Sequence, residues 1–141
     1  MKYSILLIVL TLFYINVKSQ NVDTINHPID AQLEACMSID SNYTTYGTLQ
    51  CIETAINAWN NEMEKYYHLL LDTINPQLKE ILIDAQNTWI IFKSSETSFL
   101  NAMYDSMQGT MWKIAAKSTE MQNVRDKAII LSIYYFDYTF E

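Results

Sequence analysis

Glycine and proline are scarce in this sequence, with two of each among 141 residues. Strands joined by tight turns normally need more of both, because these residues supply the special backbone angles of turns. The scarcity therefore argues against a β-rich fold. Long stretches that contain neither residue indicate helices instead.

Basic residues are also few, nine Lys and Arg against sixteen Asp and Glu, and the formal net charge is −7. Binding to nucleic acid depends on contacts between phosphates and Lys or Arg side chains, so this class of partner is not expected. An acidic chain is attracted to basic partners, although acidity also serves simply to keep an exported protein soluble.

Long apolar runs are limited to one, at residues 4–14, which follows a short basic start. Its length is typical of a signal-peptide core, and it is too short to span a bilayer, which takes about 20 apolar residues. We predict a signal peptide at residues 1–19, cleaved after Ser19, and one exported domain at residues 20–141, periplasmic or secreted. An uncleaved membrane anchor is the alternative. Cleavage would remove two lysines and leave a formal charge of −9.

Cysteine occurs only twice, at Cys36 and Cys51. In an exported chain an even number of cysteines suggests a disulfide, which in the chain-entropy account adds roughly 3 kcal/mol of stability. Two free thiols are the alternative. The spacing fits no zinc-binding pattern.

Apolar residues recur at steps of three and four, which is the period of amphipathic helices. The sequence predicts a short first helix around Pro28 and three long helices, at residues 48–74, 76–107 and from a cap at Thr110 to about Tyr138. Short connections favour antiparallel neighbours. The expected fold is therefore an all-α antiparallel bundle with one short and three long helices and one disulfide. The apolar face predicted for the third helix comprises Leu78, Leu82, Ala85, Trp89, Phe92, Phe99 and Met103.

Glu96 falls on that same face of the third helix. A buried carboxylate needs a partner, because an isolated buried charge costs several kcal/mol. Arg125 is the only arginine, and in an antiparallel hairpin around Gly109 it lies nearly level with Glu96. We therefore expect a structural Glu96–Arg125 ion pair. A free Glu96 at a binding groove is the alternative.

The sequence indicates no catalytic, metal or cofactor site. A di-iron bundle needs paired Glu-x-x-His motifs, whereas Glu64 and His68 are four apart and have no second copy. His68 is expected on a helix surface, and His27 is expected to be exposed. Glu62 and Glu96 are the candidate carboxylates for acid–base chemistry, but no turn motif or cleft signal accompanies them.

Three segments resemble the LprI-type lysozyme inhibitor family, whose members are small exported bacterial helical domains. They are the stretch between the cysteines, "AINAWNNEMEKYYHLL", and "AQNTWIIFKSSE", followed by a late arginine at Arg125. The likeness spans about residues 28–138. Lys93 stands where the family usually has arginine, and Glu64 replaces an asparagine. The core positions that the resemblance implies are Trp59, Tyr66, Ala85, Gln86, Trp89 and Phe92.

Many members of that family carry a second cysteine pair, but Thr97 and Ser118 lie near its two positions here. The resemblance implies a protein that binds and blocks lysozyme, or another basic protein, without being an enzyme. The alternative function is an envelope structural or adaptor domain that binds another exported protein or a wall fragment. We expect the exposed contacts at the loop of residues 41–47 and at the turn around Gly109, because loops on rigid scaffolds carry function.

Overall fold

A computed structural model describes residues 27–140 of the chain, so the predicted signal peptide lies outside the described residues. The elements are helix α1 (Pro28–Met37), a 3₁₀ turn (Asp40–Asn42), and the long helices α2 (Thr45–Thr73), α3 (Pro76–Asp105) and α4 (Met111–Thr139). The predicted all-α fold of one short and three long helices is confirmed.

Local sequence signals explain where the long helices begin. The Asn75 side chain accepts a hydrogen bond from the Leu78 amide at 3.0 Å and Pro76 occupies the first turn of α3, as the Asn-Pro pair predicts. Gly109, with φ of 113°, provides the left-handed backbone of the turn before α4. Thr110 precedes α4 as expected, but its side chain makes no capping hydrogen bond.

The core lies mainly between α2 and α4, which run parallel to each other and antiparallel to α3. Tyr66 on α2 meets Tyr135 on α4 with ring centroids 5.9 Å apart, and the Trp59 side chain is completely buried. Burial of aromatic and aliphatic side chains at roughly 25 cal/mol per Å² is the main stabilising term for such a bundle. The buried core cluster comprises Ala55, Trp59, Met63, Leu70, Ile74, Val124, Ala128 and Leu131.

Helix α1 is attached to the bundle at both of its ends. The predicted disulfide joins Cys36 to Cys51 across a Cα–Cα distance of 5.8 Å. At the other end, the His27 ring lies 4.4 Å from the Trp59 ring, and His27 Nδ1 accepts a hydrogen bond from the Ile29 amide. The expectation of an exposed His27 is wrong, because this ring is half-buried against the tryptophan.

Helix α3 turns a different face to the core from the one that its apolar residues predict. Gln86 and Leu100 are buried and Trp89 is half-buried, whereas Ala85 and Phe92 are exposed. The assignment of Ala85 and Phe92 to the core is therefore wrong. The apolar arc of this helix is wider than its neighbours α2 and α4 can cover, and sequence periodicity does not tell which part of a wide arc is used.

Among the described residues, no helix combines the length and the apolar character needed to cross a membrane.

Candidate functional site

The guanidinium of Arg125 binds the carboxylate of Asp30, not that of Glu96. Arg125 Nε donates to Asp30 Oδ1 at 3.0 Å and Nη2 donates to Oδ2 at 2.8 Å, a two-pronged arrangement. The same guanidinium lies 5.4 Å above the Trp59 ring. The hydrogen bonds that Arg125 donates to Asp30 raise the pKa of the guanidinium, and burial opposes this rise only in part.

The direction of each α4 side chain explains why the predicted Glu96–Arg125 pair is wrong. Lys127, two residues along the helix, lies 5.8 Å from the Trp89 ring of α3. Residues two apart on a helix point about 200° apart, so Arg125 points away from α3 and towards α1. The rotation of α4 about its axis brings Asp30, and not Glu96, to the arginine.

Glu96 is half-buried on α3 and belongs to none of the ion pairs formed within residues 27–140. The other carboxylate considered for acid–base work, Glu62, lies 2.9 Å from Lys65 Nζ and 3.8 Å from His27 Nε2. Glu62 is thus held in an ion pair with Lys65 on α2, with the His27 ring beside it. His68 is exposed, as expected. Within the described part of the chain, no three His, Cys, Asp or Glu side chains are grouped as they would be around a metal ion.

The two loops expected to carry contacts meet at one end of the bundle. Thr45, at the start of α2, donates its hydroxyl to the Thr110 hydroxyl at 3.3 Å. This hydrogen bond joins the connection between α1 and α2 to the turn between α3 and α4. We call this region, residues 38–47 and 106–112, the loop end.

A network around Asn42 fixes the backbone of the loop end. The side-chain amide of Asn42 donates to the backbone carbonyl of Cys36 at 2.9 Å and lies 3.5 Å from the Cys51 sulfur. The backbone carbonyl of Asn42 accepts a hydrogen bond from the Thr48 hydroxyl. Gly47 packs so closely that a Cβ atom there would lie 2.5 Å from the Asn42 Cα. These contacts and the neighbouring disulfide brace the loop in the conformation described.

Large side chains project from this fixed backbone into solvent. Tyr43 and Tyr46 are 73% and 71% exposed, and Gln50 donates a hydrogen bond to the Tyr46 hydroxyl. Tyrosine combines a large rigid contact area with a polar tip, and it is enriched at the centres of protein interfaces. Other exposed apolar side chains at this end are Ile39, Met107 and Met111.

A cleft of about 260 Å³ opens beside the loop end, between the three long helices. Glu53 of α2 and Asp105 of α3 line it together with Lys113 of α4. The Tyr104 ring forms one wall and stacks on Trp112 with centroids 5.6 Å apart. Lys117 of α4 also lines the cleft, so its charged side chains are two acids and two lysines.

These features define a disulfide-braced α-helical bundle. The model of the family described as Lysozyme inhibitor LprI matches residues 36–131, so the chain belongs to this family. It is also similar to an uncharacterized protein from Burkholderia thailandensis, known from a crystal structure, with 26% sequence identity and a TM-score of 0.77. That match covers 82% of this chain, which spans 57% of the length of the Burkholderia protein. No curated protein matches the chain.

Sequence reasoning missed Asp30 and did not single out Tyr43 or Tyr46. Asp30 lies in the first turn of α1, where acidic residues favour the helix dipole without any tertiary partner, so its pairing had no distinctive signal. The two tyrosines stand within "SNYTTYG", the predicted loop at residues 41–47. Large aromatic residues inside a polar loop were the available signal for an exposed contact.

Proposed function

We propose that this protein binds lysozyme through the loop end and blocks its action on the cell wall by direct contact. Membership of the lysozyme inhibitor family is the observation that carries the proposal. The acidic character of the chain, with a formal charge of −7, supports it. Lysozymes of basic character would be attracted to such a surface, which speeds encounter and makes association sensitive to salt.

The loop end suits this role because its shape exists before binding. The disulfide and the Asn42 network hold residues 38–47 in place, so little conformational freedom is lost when a partner docks. Tyr43 and Tyr46 would act as anchors at the centre of the contact, and the acidic side chains of Asp40 and Asp105 would face the basic enzyme at its edge. All four residues are exposed.

The proposed action is stoichiometric, not catalytic. The ion pairing of Glu62 with Lys65 supports this view, since that carboxylate is engaged on α2. We further propose that residues 1–19 direct export and are removed, which would bring the inhibitor to the compartment where lysozyme attacks.

Titration of the purified protein against a basic lysozyme in a bacterial lysis assay tests the proposal. Lysis should fall as the molar ratio approaches one to one, and inhibition should weaken as salt rises, because screening reduces attraction between exposed charges. Replacing both Tyr43 and Tyr46 by Ala should raise the inhibitory concentration at least about tenfold. Tyr138→Ala is the matched control, since Tyr138 is an exposed tyrosine near the far end of α4.

Unchanged lysis at a large molar excess of inhibitor would overturn the proposed function. That result would favour an adaptor that binds a different exported protein. Inhibition that persists in the Tyr43→Ala, Tyr46→Ala double variant would keep the function and remove the loop end as its site.

A further inference from the structure

Helix α3 carries a long uncharged stripe, apolar at six of its eight positions, that the described bundle leaves uncovered. Its members alternate in steps of three and four along the whole helix, all are exposed, and none is charged. We call this set the α3 stripe: Leu78, Ile81, Ala85, Thr88, Phe92, Ser95, Phe99 and Ala102. Side chains on the neighbouring face, among them Leu82 and Trp89, pack against the core instead.

The strict seven-residue spacing of the α3 stripe indicates a helical partner. On a straight α-helix, side chains seven residues apart differ in direction by about 20°, so a stripe with this period slowly rotates around the helix axis. Two helices that wind around each other keep such a stripe facing the partner along its whole length. Core contact with α2 and α4 does not explain the stripe, because Ile81 and Phe99 remain 65% and 59% exposed.

The stripe is large enough to form a specific interface. Four big side chains, Leu78, Ile81, Phe92 and Phe99, are 39–65% exposed, which amounts to on the order of 400 Å² of apolar surface at about 200 Å² per side chain. Ile91, at its edge, is 68% exposed. Paired stripes with their flanks would bury roughly 1,000 Å² or more, the size at which specific interfaces begin.

Charge selects the kind of partner. A basic enzyme would be attracted to the acidic parts of this surface. The uncharged stripe provides no electrostatic attraction for such a partner. For two copies of this acidic chain, like charges repel over most of the surface, so an uncharged face is where they can approach. We propose that a second copy of this chain docks on the α3 stripe, with the two α3 helices antiparallel.

The antiparallel arrangement is self-complementary. Ile91 lies opposite Ile91 of the second copy near the two-fold axis, and Asp84 lies opposite Ser98, so no like charges face each other. Of the four layers in each half, two set a larger side chain against a smaller one. The layers of one half pair Leu78 with Ala102, Ile81 with Phe99, Ala85 with Ser95, and Thr88 with Phe92.

In this dimer the two loop ends point in opposite directions. Helix α3 spans Pro76–Asp105, which at 1.5 Å per residue is about 45 Å. Each copy therefore keeps its loop end free, and the dimer carries two separate binding surfaces. This last consequence rests on the proposed lysozyme binding, whereas the dimer itself does not.

Sedimentation equilibrium of the purified protein tests the proposal. We expect the mass of two chains at micromolar concentration. Phe99→Glu should raise the dissociation constant by at least about 100-fold, because the two-fold axis places the substitution in the interface twice. Ile90→Glu is the matched control, since Ile90 is exposed on the opposite side of α3 and should leave the dimer intact. A single-chain mass at 100 µM, or a dimer that withstands Phe99→Glu, overturns the proposal.

Disulfide trapping tests the direction of the helices. Ile91→Cys should give a covalent dimer on mild oxidation, because the two copies of residue 91 face each other. Ala102→Cys should not, because the two copies of residue 102 lie at opposite ends of the interface. Trapping through residue 102 and not through residue 91 would mean parallel helices and would overturn the arrangement. A monomeric Phe99→Glu variant that still inhibits lysozyme would separate the dimer from the inhibitory function.

Discussion

Replacement of Arg125 by Met tests how α1 is held to the bundle. The change keeps much of the apolar stem but removes the guanidinium that binds Asp30 through hydrogen bonds of 2.8–3.1 Å. It also leaves the Asp30 carboxylate without its cation in a site where that side chain is only 23% exposed.

The expected loss of stability lies between two limits. Exposed ion pairs contribute at most about 1 kcal/mol, while removal of one partner from a buried pair costs about 3–5 kcal/mol. The Arg125 and Asp30 side chains are 16% and 23% exposed. A half-buried bidentate pair should therefore contribute about 2 kcal/mol, since hydrogen bonds to charged groups are worth about 1.5–3 kcal/mol. For a domain of this size the melting temperature should fall by roughly 6–10 °C.

A double-mutant cycle measured by urea unfolding assigns the partner of Arg125. Coupling between Arg125→Met and Asp30→Ala should be about 1–2 kcal/mol, whereas coupling between Arg125→Met and Glu96→Ala should be below about 0.5 kcal/mol. A larger coupling to Glu96 than to Asp30 would refute the geometry described for α1 and α4.

Three further predictions concern the loop end and the α3–α4 contact. Reduction of the Cys36–Cys51 disulfide should lower the free energy of unfolding by about 3 kcal/mol, measured by urea unfolding with and without reductant. Gly47→Ala should destabilise the protein by about 2 kcal/mol or more and shift the loop amide resonances in NMR spectra, because the new Cβ would overlap the Asn42 backbone. Burial lowers the pKa of Lys127, so its charge disfavours folding at neutral pH and this penalty disappears as pH rises towards the unfolded pKa. Lys127→Met should therefore raise stability at pH 7 and reduce the gain seen at alkaline pH, as followed by thermal unfolding.

Local signals predicted the helices well. Asn75 and Pro76 mark the start of α3 at the observed residue, and the predicted end of α2 at residue 74 differs from the observed Thr73 by one position. The predicted disulfide is also confirmed. The helix ends depend on residues that are neighbours in the sequence, and the disulfide joins the two cysteines that the sequence contains. Both features can therefore be predicted from the sequence.

Rotation of the helices about their axes could not be predicted in the same way. Phe92 and Trp89 belong to one broad apolar arc, but only Trp89 reaches the core. Arg125 and Lys127 are close in sequence, yet they face α1 and α3 respectively. Which half of an arc is covered depends on the positions of all the other helices, and periodicity along one helix does not contain that information.

The same limit applies to the candidate site. The two loops of the loop end were named from the sequence, but their meeting depends on the parallel alignment of α2 and α4, which places Thr45 beside Thr110. The exposure of Tyr43 and Tyr46 likewise depends on the fixed path of the loop around Asn42.

Hydrogen–deuterium exchange of the protein with and without a basic lysozyme tests the central claim most directly, because it locates the contact on the surface. The account predicts slower exchange on binding at residues 38–47 and 106–112, and no change along the α3 stripe. Protection confined to α3, or no protection anywhere with lysozyme in excess, would contradict it.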